Sequence, residues 1–230
     1  MLKSEKRISP MDISALVFIL LQIVLFPLIQ FTSAYVSNIA SYIAIVLVAI
    51  LAFLTLRRES LCHPIRIGIL FTLVADYFLV LNDKLLCGVL AFTVVQLAYF
   101  AYLWMVDKRT AVRRANAISR AALSLVLVAA TFAVLGSNTD ALAIASVIYY
   151  ANLLVNVIFA FLLGNRDRMF AIGLVLFAMC DLCIGLEVLF SSYLDSSALA
   201  FFYGARINLP WIFYQPSQVL IALHLYKKDR

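Results

Sequence analysis

Runs of about 20 apolar residues, each long enough for a helix to cross a bilayer, are separated by short polar and charged segments. The strict alternation of a membrane β-barrel strand is absent from the sequence. The pattern therefore predicts an all-α fold, a polytopic integral membrane bundle of eight transmembrane helices. The predicted spans are 13–31, 39–56, 67–81, 85–106, 121–135, 141–163, 169–190 and one within 198–226.

Composition agrees with this pattern, since 65% of the 230 residues are hydrophobic and the mean hydropathy is +1.04. A soluble domain of this length could not cover its surface with so few polar residues. We therefore expect one integral membrane domain over residues 1–230. The first span follows the basic residues 1–7 and lacks a small-residue cleavage site, so we expect no cleaved signal peptide.

The net charge of +6 arises from Lys and Arg residues that lie between the spans. Such charges orient a membrane protein, so they are not taken as a sign of nucleic-acid binding. Of the 18 Lys and Arg residues, 16 fall on the side that carries both termini, and only Lys84 and Arg206 fall on the other. The distribution predicts a multi-pass protein of the cell membrane with both termini cytoplasmic.

Two of the predicted spans share one layout, in which a glycine is followed by seven residues and an aspartate. Gly68 precedes Asp76 in this way, and Gly173 precedes Asp181. The two spans are four apart, so they run in the same direction. We infer a repeat of two parallel four-helix halves, residues 12–106 and 118–226, joined by a basic loop over residues 107–120.

The two aspartates are the main functional clue, because a charge at the centre of a bilayer costs a few kcal/mol or more. Counting along the helices places other polar side chains at the same depth, which predicts one buried polar cavity. Taken singly, each of these could instead be a hydrogen-bonding group between membrane helices. The predicted binding or orienting residues are Gln96, Tyr99, Tyr149, Asn152, Asn156, Tyr214 and Gln218.

Three further residues are candidates for a functional role. Arg206, near the outer end of the last span, either extends to lipid headgroups or binds a lipid phosphate. Cys180 and Cys183 flank Asp181, but cysteines at this spacing in a membrane helix are more typical of packing than of a metal site. We predict no metal site and no cofactor.

Several short motifs carry a resemblance to a known family. They are the run 70–76 that ends at Asp76, the segment 88–92 followed by Gln96 and Tyr99, the run 177–181 that ends at Asp181, and the pair Tyr214 and Gln218. These motifs resemble those of the YhhN family of membrane proteins, whose characterised members are lysoplasmalogenases. The chain departs from the family pattern at Ala75, Gln96 and Cys180, where Gly, His and Ser are common.

The resemblance implies a hydrolase of lipid metabolism that cleaves the vinyl ether bond of lysoplasmalogens to a fatty aldehyde and a glycerophospho-ethanolamine or -choline. Asp76 and Asp181 would then be the catalytic acid and base, without a cofactor, and Arg206 would join the substrate-binding residues. The implied partners are a lysophospholipid substrate and membrane lipids. The alternative is a proton-coupled carrier or lipid-binding membrane protein that uses the same cavity without chemistry.

Overall fold

The computed structural model describes residues 10–54, 60–192 and 208–225. In these ranges the chain forms helices and turns, and no strand. The eight long helices are α1 (Pro10–Phe31), α2 (Ala34–Leu54), α3 (His63–Asp76), α4 (Leu85–Val106), α5 (Thr110–Leu135), α6 (Ala141–Leu162), α7 (Arg168–Ser192) and α8 (Leu209–His224). Seven described helical segments are long and apolar enough to cross a membrane, and α8 has 16 described residues.

Six of the helices pack side by side in a closed ring, in the order α2, α3, α4, α6, α7, α8 and back to α2. The two remaining helices lie outside this ring. Helix α1 packs against α2 and α8, and α5 packs mainly against α6. The main cluster of buried apolar side chains includes residues from all six helices of the ring.

The outer surface is apolar, as expected of a bundle that faces lipid. Many large side chains are exposed, for example Leu16 at 57%, Leu125 at 70% and Val134 at 69%. In water such a surface would drive association, whereas lipid tails solvate it at no cost. We therefore treat the chain as an integral membrane protein.

Glutamine side chains fasten the outer helix α1 to the ring. Gln22 Nε2 donates to the carbonyl of Ala44 in α2 at 2.9 Å, and Gln215 Nε2 of α8 donates to Gln22 Oε1 at 2.7 Å. Both glutamines are buried. Hydrogen bonds of this kind hold membrane helices together where the hydrophobic effect cannot.

The predicted loop over residues 107–120 is wrong. Only a tight turn separates α4 from α5, which begins at Thr110, so Arg113, Arg114 and Arg120 lie on a helix. The turn is stabilised by Asp107, whose carboxylate accepts hydrogen bonds from the backbone N–H and the guanidinium of Arg109. These bonds hold the pKa of Asp107 below its usual range. The proposed start of the second half at residue 118 therefore falls inside α5.

Other boundaries differ by a few residues. The predicted turn over 32–38 is shorter, because α2 already begins at Ala34. The third span continues beyond α3 as a π-helical turn, Tyr77–Leu81. The predicted fourth span coincides with α4, and the predicted turn over residues 82–84 is present.

Candidate active site

Asp76 is the last residue of α3 and is only 3% exposed. Its Oδ2 accepts a hydrogen bond of 2.6 Å from the hydroxyl of Tyr214, which projects from α8. The two residues are 138 positions apart in the chain, so the pair depends on the packing of the first half of the chain against the last helix. The phenol hydroxyl replaces a water molecule that the carboxyl group loses when it is buried.

Asp181 makes the corresponding contact from α7. Its Oδ2 accepts a hydrogen bond from the hydroxyl of Tyr149 in the neighbouring helix α6. Asp181 is partly buried. Among the described residues, neither carboxyl group has a hydrogen-bond partner for its second oxygen, Oδ1. Each carboxyl group therefore keeps one oxygen available for proton transfer.

An aromatic cluster joins the two aspartate–tyrosine pairs. The ring of Phe92 stacks on Tyr149 with centroids 5.8 Å apart and meets Tyr214 edge-on at 6.3 Å. Phe177 packs against both Phe92 and Tyr214, at 5.3 Å and 5.5 Å. Apolar rings around two carboxyl groups exclude water and strengthen the electrostatic interactions between them.

The backbone changes at Asp76 itself. The helix passes there from α-helical to π-helical hydrogen bonding, over Tyr77–Leu81. π-helical turns are rare and are frequent at functional sites, because the wider turn alters the direction of the side chains next to it. The change places Asp76 at the junction of two helical registers.

Asn152 and Asn156 were predicted as binding or orienting residues, and their side-chain oxygens accept hydrogen bonds from an arginine. Arg120 of α5 donates from Nη1 to Asn152 Oδ1 at 2.9 Å and from Nη2 to Asn156 Oδ1. Asn156 Nδ2 in turn donates to Gln96 Oε1 of α4 at 2.9 Å. Arg120 was not predicted as a site residue, because the sequence pattern assigned it to a loop. Its position two turns from Arg113 on one helical face would have been the available signal.

The other predicted residues lie apart from this network. The ring of Tyr99 is fully buried between Gly68 and Phe170. Gln218, one turn from Tyr214, is fully buried, and among the described residues neither of its side-chain amide atoms has a hydrogen-bond partner. A buried amide in this state is expected to meet water or a ligand. The predicted Arg206 lies outside the described residues.

A second polar cluster, also missed, lies where α4 and α8 end. The hydroxyl of Tyr102 donates to Asp167 Oδ1 and lies 2.9 Å from Nε2 of His224. Only 8% of His224 is exposed. In the described ranges, no three His, Cys, Asp or Glu side chains are arranged as metal ligands would be.

Comparison with known proteins places these features in a family. A search of curated proteins and a search of solved structures gave no significant match. The model of the YhhN family matches residues 35–225, which includes both aspartate–tyrosine pairs, the aromatic cluster and Arg120. The match covers most of the chain, and the chain therefore belongs to the YhhN family.

Proposed function

We propose that the protein is a membrane-embedded hydrolase that cleaves the vinyl ether bond of lysoplasmalogens. The observation that carries the proposal is the pair of carboxyl groups, Asp76 and Asp181, each bound to a tyrosine hydroxyl around one aromatic cluster. Two carboxyl groups with free oxygens are the groups that acid and base catalysis of this reaction requires. Family membership supports the same activity.

The chemistry begins with proton transfer to carbon. One carboxyl group gives its proton to the outer carbon of the vinyl ether, and the electrons of the double bond form the new C–H bond. The carbon attached to the ether oxygen becomes an oxocarbenium ion. The second group, as a carboxylate, stabilises this cation and takes a proton from the water that adds to it.

The hemiacetal that results then collapses. Its hydroxyl proton is returned to a carboxylate, the carbon–oxygen bond to glycerol breaks, and the glycerol oxygen receives a proton from the other carboxyl group. The products are a fatty aldehyde and a glycerophospho-ethanolamine or -choline, and both carboxyl groups regain their starting protonation. Tyr149 and Tyr214 hold the carboxyl groups in place through these steps by their hydrogen bonds.

The proposal includes a topology of eight spans, with both termini on the cytoplasmic side of the cell membrane. Because Arg120 lies within the bundle and not in a cytoplasmic loop, 15 of the 18 Lys and Arg residues are assigned to the cytoplasmic side. Lys84 and Arg206 are assigned to the outer side. Cysteine accessibility checks this orientation. If a cysteine that replaces Lys108 were labelled only by a reagent outside the cell, the cytoplasmic assignment of the termini would be contradicted.

A twofold repeat is supported by the helix contacts. In each half the first helix packs on the second, the second on the third and the third on the fourth. The halves also meet in matching ways, since α4 packs on α6 and α8 packs on α2. We propose that α1–α4 and α5–α8 are the two halves, with the boundary at the turn before Thr110.

Two glycine contacts support the same repeat in atomic detail. The ring of Tyr99 in α4 lies against Gly68 of α3, so closely that an added Cβ would be 2.4 Å from it. In the second half Ile221 of α8 lies against Gly173 of α7, where an added Cβ would be 2.8 Å from the side chain. Equivalent glycines thus allow equivalent helices to approach.

The decisive experiment measures aldehyde release by the purified protein from a lysoplasmalogen, with ester and saturated-ether lysolipids in parallel. We expect only the vinyl ether to be cleaved to an aldehyde. Asp76→Asn and Asp181→Asn should each lower the rate by about 10²–10⁴-fold, because Asn cannot donate an acidic proton or carry a charge. Asp83→Asn is the matched control, since Asp83 is exposed in a turn and should retain the wild-type rate.

Thermal melts of the same samples show whether the variants are folded. We expect both Asn variants at the site to melt at or above the wild-type temperature, because each removes a buried carboxyl group. Folded Asn variants that keep wild-type turnover would contradict the catalytic assignment. Absence of aldehyde release from the wild type, together with transport of lysolipid in vesicles, would favour the carrier.

A further inference from the structure

The space between α4 and α5 is bordered by a cationic stripe on one side and by aromatic rings on the other. Arg113, Asn116 and Arg120 share one face of α5, at spacings of three and four residues. The guanidinium of Arg113 lies 5.4 Å from the ring of Trp104, and that of Arg120 lies 4.2 Å from the ring of Phe100. A small cavity lined in part by Trp104, Arg113 and Asn116 lies beside Asp107.

Arg120 is the inner member of this stripe, and only 8% of it is exposed. Neutral amide oxygens surround it: Nε donates to Asn116 Oδ1 at 2.9 Å, and the two terminal nitrogens donate to Asn152 and Asn156. Among the described residues no carboxylate forms an ion pair with it. Amide oxygens satisfy the N–H groups but do not neutralise the charge, so a buried cation remains without a counter-ion.

Helix α6 connects this cation to the candidate active site. Tyr149, which binds Asp181, lies on the same face of α6 as Asn152 and Asn156, which bind Arg120. At 1.5 Å per residue, the two asparagines lie about 4.5 and 10.5 Å along the helix axis from Tyr149.

The distance between Tyr149 and the two asparagines is compatible with the length of a lysophospholipid. In a lysoplasmalogen, five single bonds separate the vinyl ether oxygen from the phosphorus. An extended chain of five bonds spans roughly 6 Å, if three backbone bonds span about 3.5 Å. A molecule with its vinyl ether at the carboxyl groups can therefore place its phosphate near Arg120.

The depth of the groups agrees with the same orientation. Counted from the helix starts at the same end of the bundle, Arg120 lies about 15 Å along α5, whereas Asp76 and Asp181 lie about 20 Å along α3 and α7. A phosphate at Arg120 would thus be nearer that end than the bond to be cleaved. This is the order of groups in a lysolipid whose headgroup faces that surface.

We propose that Arg120 binds the phosphate of the lysophospholipid substrate, which approaches along the face of α5 that carries Asn116 and Arg113. The proposal rests on the proposed function, and it predicts that the protein cleaves a phosphorylated vinyl ether faster than the matching neutral alkenylglycerol. Arg is suited to the role because its guanidinium keeps its charge when buried and carries five N–H donors, of which the bonds to the three asparagines use four, so one N–H of Nη2 remains for a phosphate oxygen. Asn116, Asn152 and Asn156 hold the guanidinium in position before the lipid arrives.

The test compares two vinyl ethers that differ only in the headgroup, an alkenyl-glycerophosphoethanolamine and the matching alkenylglycerol. Arg120→Gln should lower kcat/KM for the phosphorylated substrate by about 10- to 100-fold, mostly through KM, because it loses a charged hydrogen-bond partner of the phosphate. Cleavage of the alkenylglycerol should stay within about twofold of wild type. Arg114→Gln, an exposed arginine of the same helix, is the matched control and should change neither substrate.

A purely structural role would give a different result. If Arg120 only fastens α5 to α6, its loss should lower the cleavage of both substrates equally, and this outcome would overturn the proposal. No loss with either substrate would also overturn it. If Arg120→Gln does not fold, the same comparison is made with Arg120→Lys. Lys keeps the charge but lacks the planar guanidinium, so kcat/KM should fall several-fold for the phosphorylated substrate and not for the alkenylglycerol.

Failure of the proposed function would be recognised separately. If the wild type cleaves neither vinyl ether, hydrolysis is refuted, and binding is then measured with saturated alkyl-ether analogues. Tighter binding of the phosphorylated analogue by wild type than by Arg120→Gln, with equal binding of the alkylglycerol, would support the phosphate site. Equal binding of the phosphorylated analogue by both proteins would overturn it.

Discussion

Removing one hydroxyl group tests whether the tyrosines serve the carboxyl groups. Tyr214→Phe deletes the hydrogen bond of 2.6 Å to Asp76 and keeps the ring that packs against Phe92, Phe177 and Trp211. The change therefore alters the polar contact with little change in packing. Tyr149→Phe is the equivalent change for Asp181.

The magnitude follows from the kind of bond that is lost. A hydrogen bond to a charged group contributes about 1.5–3 kcal/mol, and each 1.4 kcal/mol is a factor of ten. If the carboxyl group must be held in one orientation during proton transfer, each variant should lose about 10- to 150-fold in kcat/KM. The loss should be smaller than that of the corresponding Asp→Asn variant, because the carboxyl group itself remains.

The assay is aldehyde release from a lysoplasmalogen by purified protein, with a thermal melt of each sample. Tyr150→Phe is the matched control, since the hydroxyl of Tyr150 lies 3.5 Å from the carbonyl of Ala178 and makes at most a weak bond. We expect its rate to equal that of wild type. Rates within twofold of wild type for both Tyr149→Phe and Tyr214→Phe would refute the reasoning that the hydroxyls position the carboxyl groups.

The remaining predictions concern stability. Gly68→Ala and Gly173→Ala should each lower the free energy of unfolding by about 1–3 kcal/mol through overpacking. Gly185→Ala should not, because among the described residues no atom of a packing neighbour lies within 4 Å of the added carbon. Melts in detergent measure the difference. The pKa of Asp107 is lowered by Arg109 in the folded protein, so its contribution to stability is present above about pH 4 and is lost as the pH falls through the folded value. Asp107→Asn should therefore melt at a lower temperature than wild type at pH 7, and the difference should shrink on acidification to pH 3.

Much of the fold could be predicted from hydrophobic runs, because a membrane helix must satisfy its own backbone and its length is set by the bilayer. The prediction failed at α5, where Arg113, Arg114 and Arg120 were taken to end the helix in a loop. A charged side chain does not interrupt a membrane helix when polar groups of a neighbouring helix form hydrogen bonds with it. Arg120 finds such partners on α6, and a single sequence does not show which helices are neighbours.

The candidate site was predicted in part for a similar reason. Depth along a helix follows from counting residues, so Asp76 and Asp181 could be placed at one level. The angular position of a residue around the helix axis decides which neighbouring helix its side chain contacts. Which helix lies on that side depends on tertiary packing. Asn152 and Asn156 therefore share a helical face with Tyr149 but bind Arg120, and Tyr214 was predicted near the site without its bond to Asp76.

The long sequence separation between Asp76 and Tyr214 has a consequence for biosynthesis. Helices enter the membrane in chain order, and at roughly 5–20 residues per second the ribosome reaches Tyr214 about 7–30 s after Asp76. During that interval the carboxyl group lies in the bilayer without its phenol partner, and the ring of helices is still open. The nascent chain should therefore be inactive toward the lipids around it until α8 is inserted. Chains truncated before α8 would keep this unpaired acid in the membrane, a feature by which cellular quality control can recognise them.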